Sequence, residues 1–162
     1  MSKAFTLLEL LVTTSVTALL MLGVSSLFIA FLGSAHKSKI SQTLREEGQA
    51  AMQQMTRQLR SAQGIDLDCV SSDPQGSLSF INEFGEQITF SEDADRIASA
   101  AATLTYHLTS ARPEETDYLR DLTFRCFGAS GEQKYIEISF SLHVNRVRPT
   151  SLDFRSGVVT RN

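Results

Sequence analysis

The chain has 162 residues, a formal net charge of −3 and 42% hydrophobic residues. This length suits one modest domain with an additional segment, and the mild acidity argues against a nucleic-acid-binding protein. The charges are unevenly distributed: after Glu9 the next ionisable side chain is His36, and the next fixed charge is Lys37. The sequence therefore divides into an apolar N-terminal segment and a charged remainder.

The apolar segment continues from Glu9 as "LLVTTSVTALLMLGVSSLFIAFLGSA". A helix needs about 20 apolar residues to cross about 30 Å of hydrocarbon, so this run is long enough to span a bilayer. A cleaved secretory signal, whose apolar core has about 7–15 residues, is disfavoured, although "LGSA" would be a passable cleavage site. We expect a single-pass membrane anchor over 5–35. The basic flank "HKSK" competes with Lys3, but the short leading segment places the large C-terminal part outside the cytoplasm.

An amphipathic segment follows directly, in "HKSKISQTLREEGQAAMQQMTRQLRSAQG", which is rich in helix formers. One apolar stripe recurs at steps of mostly three or four residues, opposite a polar face. Gly48 falls on the stripe, where a small residue permits close packing, and Gly64 is the expected stop. We predict one helix from about Phe5 to Ala62, with an apolar half (5–35) and an amphipathic half (36–63). The stripe contains Ile40, Leu44, Ala51, Met55, Leu59 and Ala62.

The remaining residues, 64–162, predict an antiparallel β domain, because turn clusters separate short alternating stretches. "SLSFINE" and "EQITFSE" predict a hairpin, "TLTYHLT" a strand, and "LRDLTFRCFG" with "KYIEISFSLHVNRV" a longer hairpin. "SLDFRSGVVT" is either a last strand or an extended tail. One sheet face needs a cover, which the helical stripe supplies. The expected fold class is α+β, a long N-terminal helix packed on a small antiparallel sheet. One face of the long hairpin's second strand is apolar: Ile136, Ile138, Phe140, Leu142 and Val144.

Two cysteines, Cys69 and Cys126, lie in the β domain. Their spacing is unlike that of a metal site. Outside the cytoplasm they are expected to pair as a disulfide; the alternative is two separate buried thiols.

We find no motif for catalysis, and we expect neither an enzyme nor a cofactor. "SEDAD", at 91–95, offers oxygen ligands for calcium but lacks the glycine and distal glutamate of an EF-hand loop, so a solvated acidic loop is favoured over a metal site. His107 and His143 are interpreted as solvated strand positions.

The stretch "KAFTLLELLV" resembles the N terminus of type IV prepilins and type II secretion pseudopilins. In that family a short basic leader, usually ending in Gly, precedes Phe-Thr-Leu-Ile/Leu-Glu-Leu-Leu. A prepilin peptidase cuts the leader on the cytoplasmic side and methylates the new first residue. The resemblance implies a leader over 1–4, cleavage between Ala4 and Phe5, and N-methylation of Phe5. Ala4 stands where the family usually has Gly.

The resemblance also implies a role for Glu9, which becomes the fifth residue after cleavage. In filaments of this family, that carboxylate pairs with the N-terminal amine of a neighbouring subunit and sets the axial register. An ionisable group at membrane depth is costly, and an opposite charge offsets the cost. The alternative is that Glu9 faces lipid headgroups beside Lys3.

A second stretch, "QAAMQQMTRQLRSAQ" followed by "GSLSFINEFGEQITF", is similar to the W-type minor pilins and J-type minor pseudopilins. Met55, Arg57, Leu59, Arg60 and Ala62 match their helix ending, and the final "RN" is also common there.

This similarity implies a minor subunit that primes assembly at the tip of a pilus or pseudopilus. The implied partners are other minor and major pilins or pseudopilins, the prepilin peptidase, an inner-membrane assembly platform and the lipid bilayer, with no nucleic acid. The implied location is the inner membrane and then the fibre. A pilus, a DNA-uptake system and a secretion system all remain open. The alternatives are a non-assembling, membrane-anchored adhesion or sensor domain, and a β domain released by cleavage near Ala35.

Overall fold

The structure is a computed structural model that describes residues 6–66, 73–102, 104–110, 118–128, 133–145 and 149–160, without the side chain of His36. The chain divides into two compact units, Met1–Lys39 and Ile40–Asn162. The boundary falls within one helix. The elements are α1 Leu7–Arg60, β1 Gly64–Asp66, β2 Leu78–Ile81, β3 Gln87–Asp93, β4 Arg96–Ala101, β5 Leu104–His107, β6 Leu119–Phe127, β7 Tyr135–Val144 and β8 Thr150–Val159.

The first unit consists, in its described part, of the apolar half of α1. Thr6 caps the helix, since its Oγ1 accepts a hydrogen bond from the Glu9 amide at 3.2 Å. Hydroxyl side chains along this half donate to carbonyls of the preceding turn, as Thr13 does to Glu9 at 2.9 Å and Ser26 to Gly23 at 2.8 Å. The polar groups inside the apolar run are thus satisfied by the helix itself.

In the second unit the predicted stripe of α1 is buried. Leu44, Met55 and Leu59 are fully inaccessible to solvent, and Ile40 is partly buried against the core. The helix ends at Arg60, two residues before the predicted end, and the Ala62 amide closes the last turn onto the Leu59 carbonyl at 3.3 Å. Gly64 does not cap the helix but begins β1.

The strands form two antiparallel sheets, so the prediction of one sheet is wrong. The first sheet has the order β1-β2-β3-β4-β5 and the second the order β6-β7-β8. An isolated bridge, Gln75 with Phe124, joins the segment before β2 to β6 through hydrogen bonds of 2.9 and 2.8 Å. Strand patterns specify which residues pair locally, whereas the partition of strands among sheets depends on long-range pairing.

The predicted hairpins are present as β2–β3 and β6–β7, and the "SLDFRSGVVT" stretch is strand β8. The sequence did not predict β1 or β4. In β4, "RIASAA", small residues replace the alternating large side chains that mark a strand. The β3–β4 turn consists of Ala94 and Asp95, both in the left-handed region with φ of 48° and 59°. Two-residue turns of this kind usually contain Asn-Gly, so this turn lacked its sequence signal.

The core lies between the amphipathic half of α1 and the sheets. The even-numbered face of β7 is buried as predicted. Gly48 sits against the ring of Phe154, because a Cβ added to Gly48 would lie 2.1 Å from that ring. Phe154 in turn stacks on Phe140 with ring centroids 5.1 Å apart. Close packing at Gly48, which the sequence suggested, is therefore confirmed.

Candidate functional site

Glu9 lies in the first turn of α1 and is exposed. It is the sole ionisable residue between Lys3 and His36. Its backbone amide is held by Thr6 and its carbonyl by Thr13, so its place at the start of the helix is well defined. The carboxylate therefore stands alone at one end of an apolar helical segment. Because it is acidic and lies in the first turn, it also complements the helix dipole.

The apolar half around Glu9 presents large side chains on every side. Leu7 is 84% exposed, Leu27 72% and Phe31 70%. α1 is long and apolar enough to cross a membrane, and its most apolar stretch is not buried within the described part of the protein. A helix that is apolar all round needs lipid or other helices around it. Nothing in the described part of the chain covers this segment.

Two predicted site residues, Ala4 and Phe5, lie outside the described residues, so cleavage and methylation there stay predictions. Cys126 is fully buried in β6 and is disulfide-bonded. Cys69, the other cysteine of the sequence, lies outside the described residues, and the Cys69–Cys126 pairing also stays a prediction.

A polar contact ties the amphipathic half of α1 to the entrance of β6. The buried Tyr118 hydroxyl donates to Glu47 Oε2 of the helix across a short hydrogen bond. A carboxylate acceptor makes such a bond stronger than one between neutral groups. This contact fixes the helix against the second sheet beside the close approach of Gly48 and Phe154.

The acidic stretch "SEDAD" is a hairpin rather than a loop, since Ser91–Asp93 belong to β3. Asp93 Oδ2 lies 2.7 Å from His107 Nε2, and His107 is an exposed position of β5. Burial, and then the charge of Asp95, raise the pKa of Glu92. Among the described residues, no group of three or more His, Cys, Asp or Glu side chains could hold a metal ion. His143, in β7, makes a 2.9 Å hydrogen bond with Asn145.

The sequence did not predict the exposed aromatic side chain on the hydrogen-bonded β2–β3 turn. Asn82 Oδ1 accepts hydrogen bonds from the amides of Phe84 and Glu86, each at 2.9 Å, and Gln63 of the helix end donates to the Glu83 carbonyl at 3.3 Å. Phe84 is nevertheless 80% exposed. The "NEFGE" sequence carries the Asx-turn signal that would have indicated the ordered loop, but exposure of the ring depends on the tertiary structure.

The sequence also did not predict the groove beside the last turns of α1. Arg57 and Arg60 matched a helix-ending pattern in the sequence, but their position next to β8 depends on how the helix packs on the sheet.

In comparisons with family models, curated proteins and solved structures, nothing matches this chain.

Proposed function

We propose that the protein is a minor pilin or minor pseudopilin, cleaved by a prepilin peptidase and assembled into a type IV pilus or type II secretion pseudopilus. The observation that carries the proposal is Glu9, a lone carboxylate in the first turn of a helix whose apolar half is exposed all round. The resemblance of "KAFTLLELLV" to the prepilin motif indicates the role of that carboxylate. The combination of an apolar half-helix, an amphipathic half-helix and a β domain supports it.

The exposed apolar half of α1 serves two successive environments in this proposal. Before assembly it lies in the bilayer, where lipid covers its side chains. In the fibre, the corresponding segments of neighbouring subunits cover them. The transfer exchanges one apolar surrounding for another, so the apolar side chains provide little discrimination between positions along the fibre axis.

Glu9 distinguishes the correct axial position of a subunit in the fibre from the wrong ones. Cleavage before Phe5 creates a positive amine about one helical turn from it. A subunit in the correct register places its Glu9 beside the amine of its neighbour, whereas a subunit in a wrong register leaves both charges unpaired in an apolar bundle. Removing one partner from a buried ion pair costs about 3–5 kcal/mol, which is enough to select one register.

Glu9→Ala is therefore expected to leave membrane insertion intact and to reduce incorporation into the fibre by more than about tenfold, because the neighbouring amine loses its partner. Incorporation is measured by pulling down fibres and quantifying the subunit against its level in the membrane fraction. Two matched controls are Glu9→Asp, which keeps the charge, and Thr13→Ala, which alters the next turn without altering charge. Normal incorporation of Glu9→Ala would overturn the register role.

The peptidase step has a separate test. Mass spectrometry of the subunit recovered from fibres is expected to show a chain that starts at N-methylated Phe5. A chain that retains "MSKA" in the assembled form would contradict processing at Ala4. An unprocessed chain that copurifies with no other pilin would favour the non-assembling membrane-anchored domain instead.

A further inference from the structure

A groove of about 1050 Å³ lies between the last turns of α1 and strand β8. We refer to it as the α1–β8 groove. It belongs entirely to the second unit of the chain. Its described lining residues are Gln49, Met52, Gln53, Thr56, Arg57, Arg60, Ser61, Phe154, Arg155, Ser156 and Val159.

The groove runs along the unpaired edge of β8. Among the described residues β8 pairs with β7 alone, and no residue of β7 lines the groove. The Thr160 amide donates to the Lys134 carbonyl at 2.9 Å. Because hydrogen-bonded and non-hydrogen-bonded pairs alternate in an antiparallel ladder, the backbone groups of Arg155, Gly157 and Val159 point away from β7. Arg155 and Val159 also line the groove, so this edge lies beside it.

This edge carries little of the usual protection against strand addition. Natural sheets block exposed edges with charged side chains, especially lysine, and with proline, bulges or very short strands. β8 contains no Lys and no Pro, its two charged residues are Asp153 and Arg155, and its register with β7 is unbroken over ten residues from Thr150 to Val159. A long regular edge beside an open groove is the geometry in which an extended peptide adds as a further strand.

The charge of the groove indicates what kind of peptide fits. Its described lining residues include three arginines and no Asp or Glu, in a chain whose net charge is −3. Arg155 is engaged, since its Nη2 donates to Glu137 Oε2 at 2.7 Å. Arg57 and Arg60 make no ion pair with any other described residue and are exposed on the groove wall. Met52 and Phe154 supply an apolar surface between these charges.

We propose that the α1–β8 groove binds an extended acidic segment of another protein, which adds as a strand to the free edge of β8. Backbone hydrogen bonds hold the segment, and the carboxylates on its face towards α1 pair with Arg57 and Arg60. The alternate side chains point to the opposite face, away from α1. A second copy of this chain offers less acidic charge than such a segment, because each of its described edge strands carries at most one carboxylate. These carboxylates are Asp66 in β1, Asp121 in β6 and Asp153 in β8, and β5 has none. The proposal goes beyond the proposed function and does not depend on Glu9.

The charge component is tested with the full chain in detergent micelles. The probe is a fluorescein-labelled, capped octapeptide of alternating Glu and Val, and binding is followed by fluorescence anisotropy. We expect binding that weakens at least about tenfold in Arg57→Glu/Arg60→Glu, and a Lys-Val peptide that binds at least about tenfold more weakly than the Glu-Val peptide. Arg45→Glu, an exposed arginine of the same helix outside the groove, is the matched control and should bind like wild type.

The strand-addition component is tested with proline. Val159→Pro removes an amide that points away from β7 beside the groove, while the hydrogen bonds to β7 stay intact; it should abolish binding of the Glu-Val peptide. Ser151→Pro removes an amide of the same orientation on β8 but outside the groove, and should leave binding unchanged. Unfolding curves check that both variants fold; if Val159→Pro does not, the arginine variants still decide the outcome.

Three results would overturn the proposal: no binding of the Glu-Val peptide, equal binding of the Glu-Val and Lys-Val peptides, or equal binding by Val159→Pro and wild type. Self-association of the chain that Val159→Pro removes, measured by analytical ultracentrifugation, would also overturn it, because a second copy would then occupy the edge. Failure of Glu9→Ala to affect assembly would leave the groove proposal standing, since the groove assay measures peptide binding and requires no fibre.

Discussion

Both halves of α1 are helical, but the exposure of their apolar side chains differs. In the apolar half, Leu7 is 84% exposed and Leu27 72% exposed. In the amphipathic half, Leu44 and Leu59 are fully buried against the sheets. Helical hydrogen bonds are available to both halves alike. The difference lies in which partner removes apolar side chains from water.

Apolar side chains of the two halves therefore contribute differently to the folding stability of the second unit. Side chains of the amphipathic half contribute to folding of the second unit, because burial of a leucine is worth about 1.5–3 kcal/mol. Large side chains of the apolar half are exposed among the described residues, and none of them belongs to the described core of the second unit. Substitutions in one half should therefore change stability, while equivalent substitutions in the other should change membrane insertion or assembly.

The largest contrast is expected from matched leucine truncations. Leu59→Ala should lower the free energy of unfolding of the second unit by about 2–5 kcal/mol, since it creates a cavity in the core. Leu27→Ala should change it by less than about 0.5 kcal/mol, because Leu27 is 72% exposed and substitutions of exposed residues usually change stability little. The measurement is urea unfolding in detergent micelles, followed by tyrosine fluorescence, as the chain has three Tyr and no Trp. Equal effects of the two truncations would contradict the division of the helix.

The second contrast uses two glycines of the same helix. Gly48→Leu should destabilise the second unit by about 1–3 kcal/mol, because even a Cβ at Gly48 would lie 2.1 Å from the Phe154 ring. A Cβ added at Gly23 meets no atom within 4 Å, so Gly23→Leu should leave unfolding unchanged, with a small gain in helix propensity. The same urea assay applies. If Gly48→Leu unfolded like wild type, the ring of Phe154 would have to move away at little cost.

The smallest expected effect concerns a carboxylate of the second unit. Burial and the charge of Asp95 raise the pKa of Glu92. The pKa of Glu92 is higher in the folded state than in the unfolded state, so ionisation of Glu92 destabilises the folded protein at neutral pH. This destabilisation disappears as the pH falls and Glu92 becomes protonated in both states. Glu92→Gln should therefore raise the free energy of unfolding slightly at pH 7, and its advantage should shrink towards acidic pH. Urea unfolding at several pH values measures this; an advantage that grew on acidification would reverse the sign.

Much of the architecture could be predicted because its signals are local. Apolar residues at helical spacing placed Leu44, Met55 and Leu59 in the core, and alternation placed Ile136 and Ile138 on the inner face of β7. Both kinds of signal depend on the residue period of a single element. The prediction was less successful for β4, whose small residues lack an alternating pattern, and for the Ala94–Asp95 turn, which contains neither Asn nor Gly.

The two candidate sites also differ in whether the sequence alone could indicate them. Glu9 is conspicuous from sequence alone, because a carboxylate at the head of a long apolar run can be recognised without any fold. The α1–β8 groove is not conspicuous from sequence alone, because Arg57 and Arg60 are separated from Val159 by about a hundred residues. Tertiary packing, including that of Gly48 on Phe154, brings the helix alongside β8.

The sequence by itself thus determined the helix, its change of character between the two halves, the main hairpins and the isolated carboxylate, since each depends on neighbours along the chain. The tertiary structure decided the split into two sheets, the free edge of β8 and the basic groove beside it. Those features depend on contacts between distant residues, and a hydrophobic pattern specifies which faces are buried without specifying which element buries them.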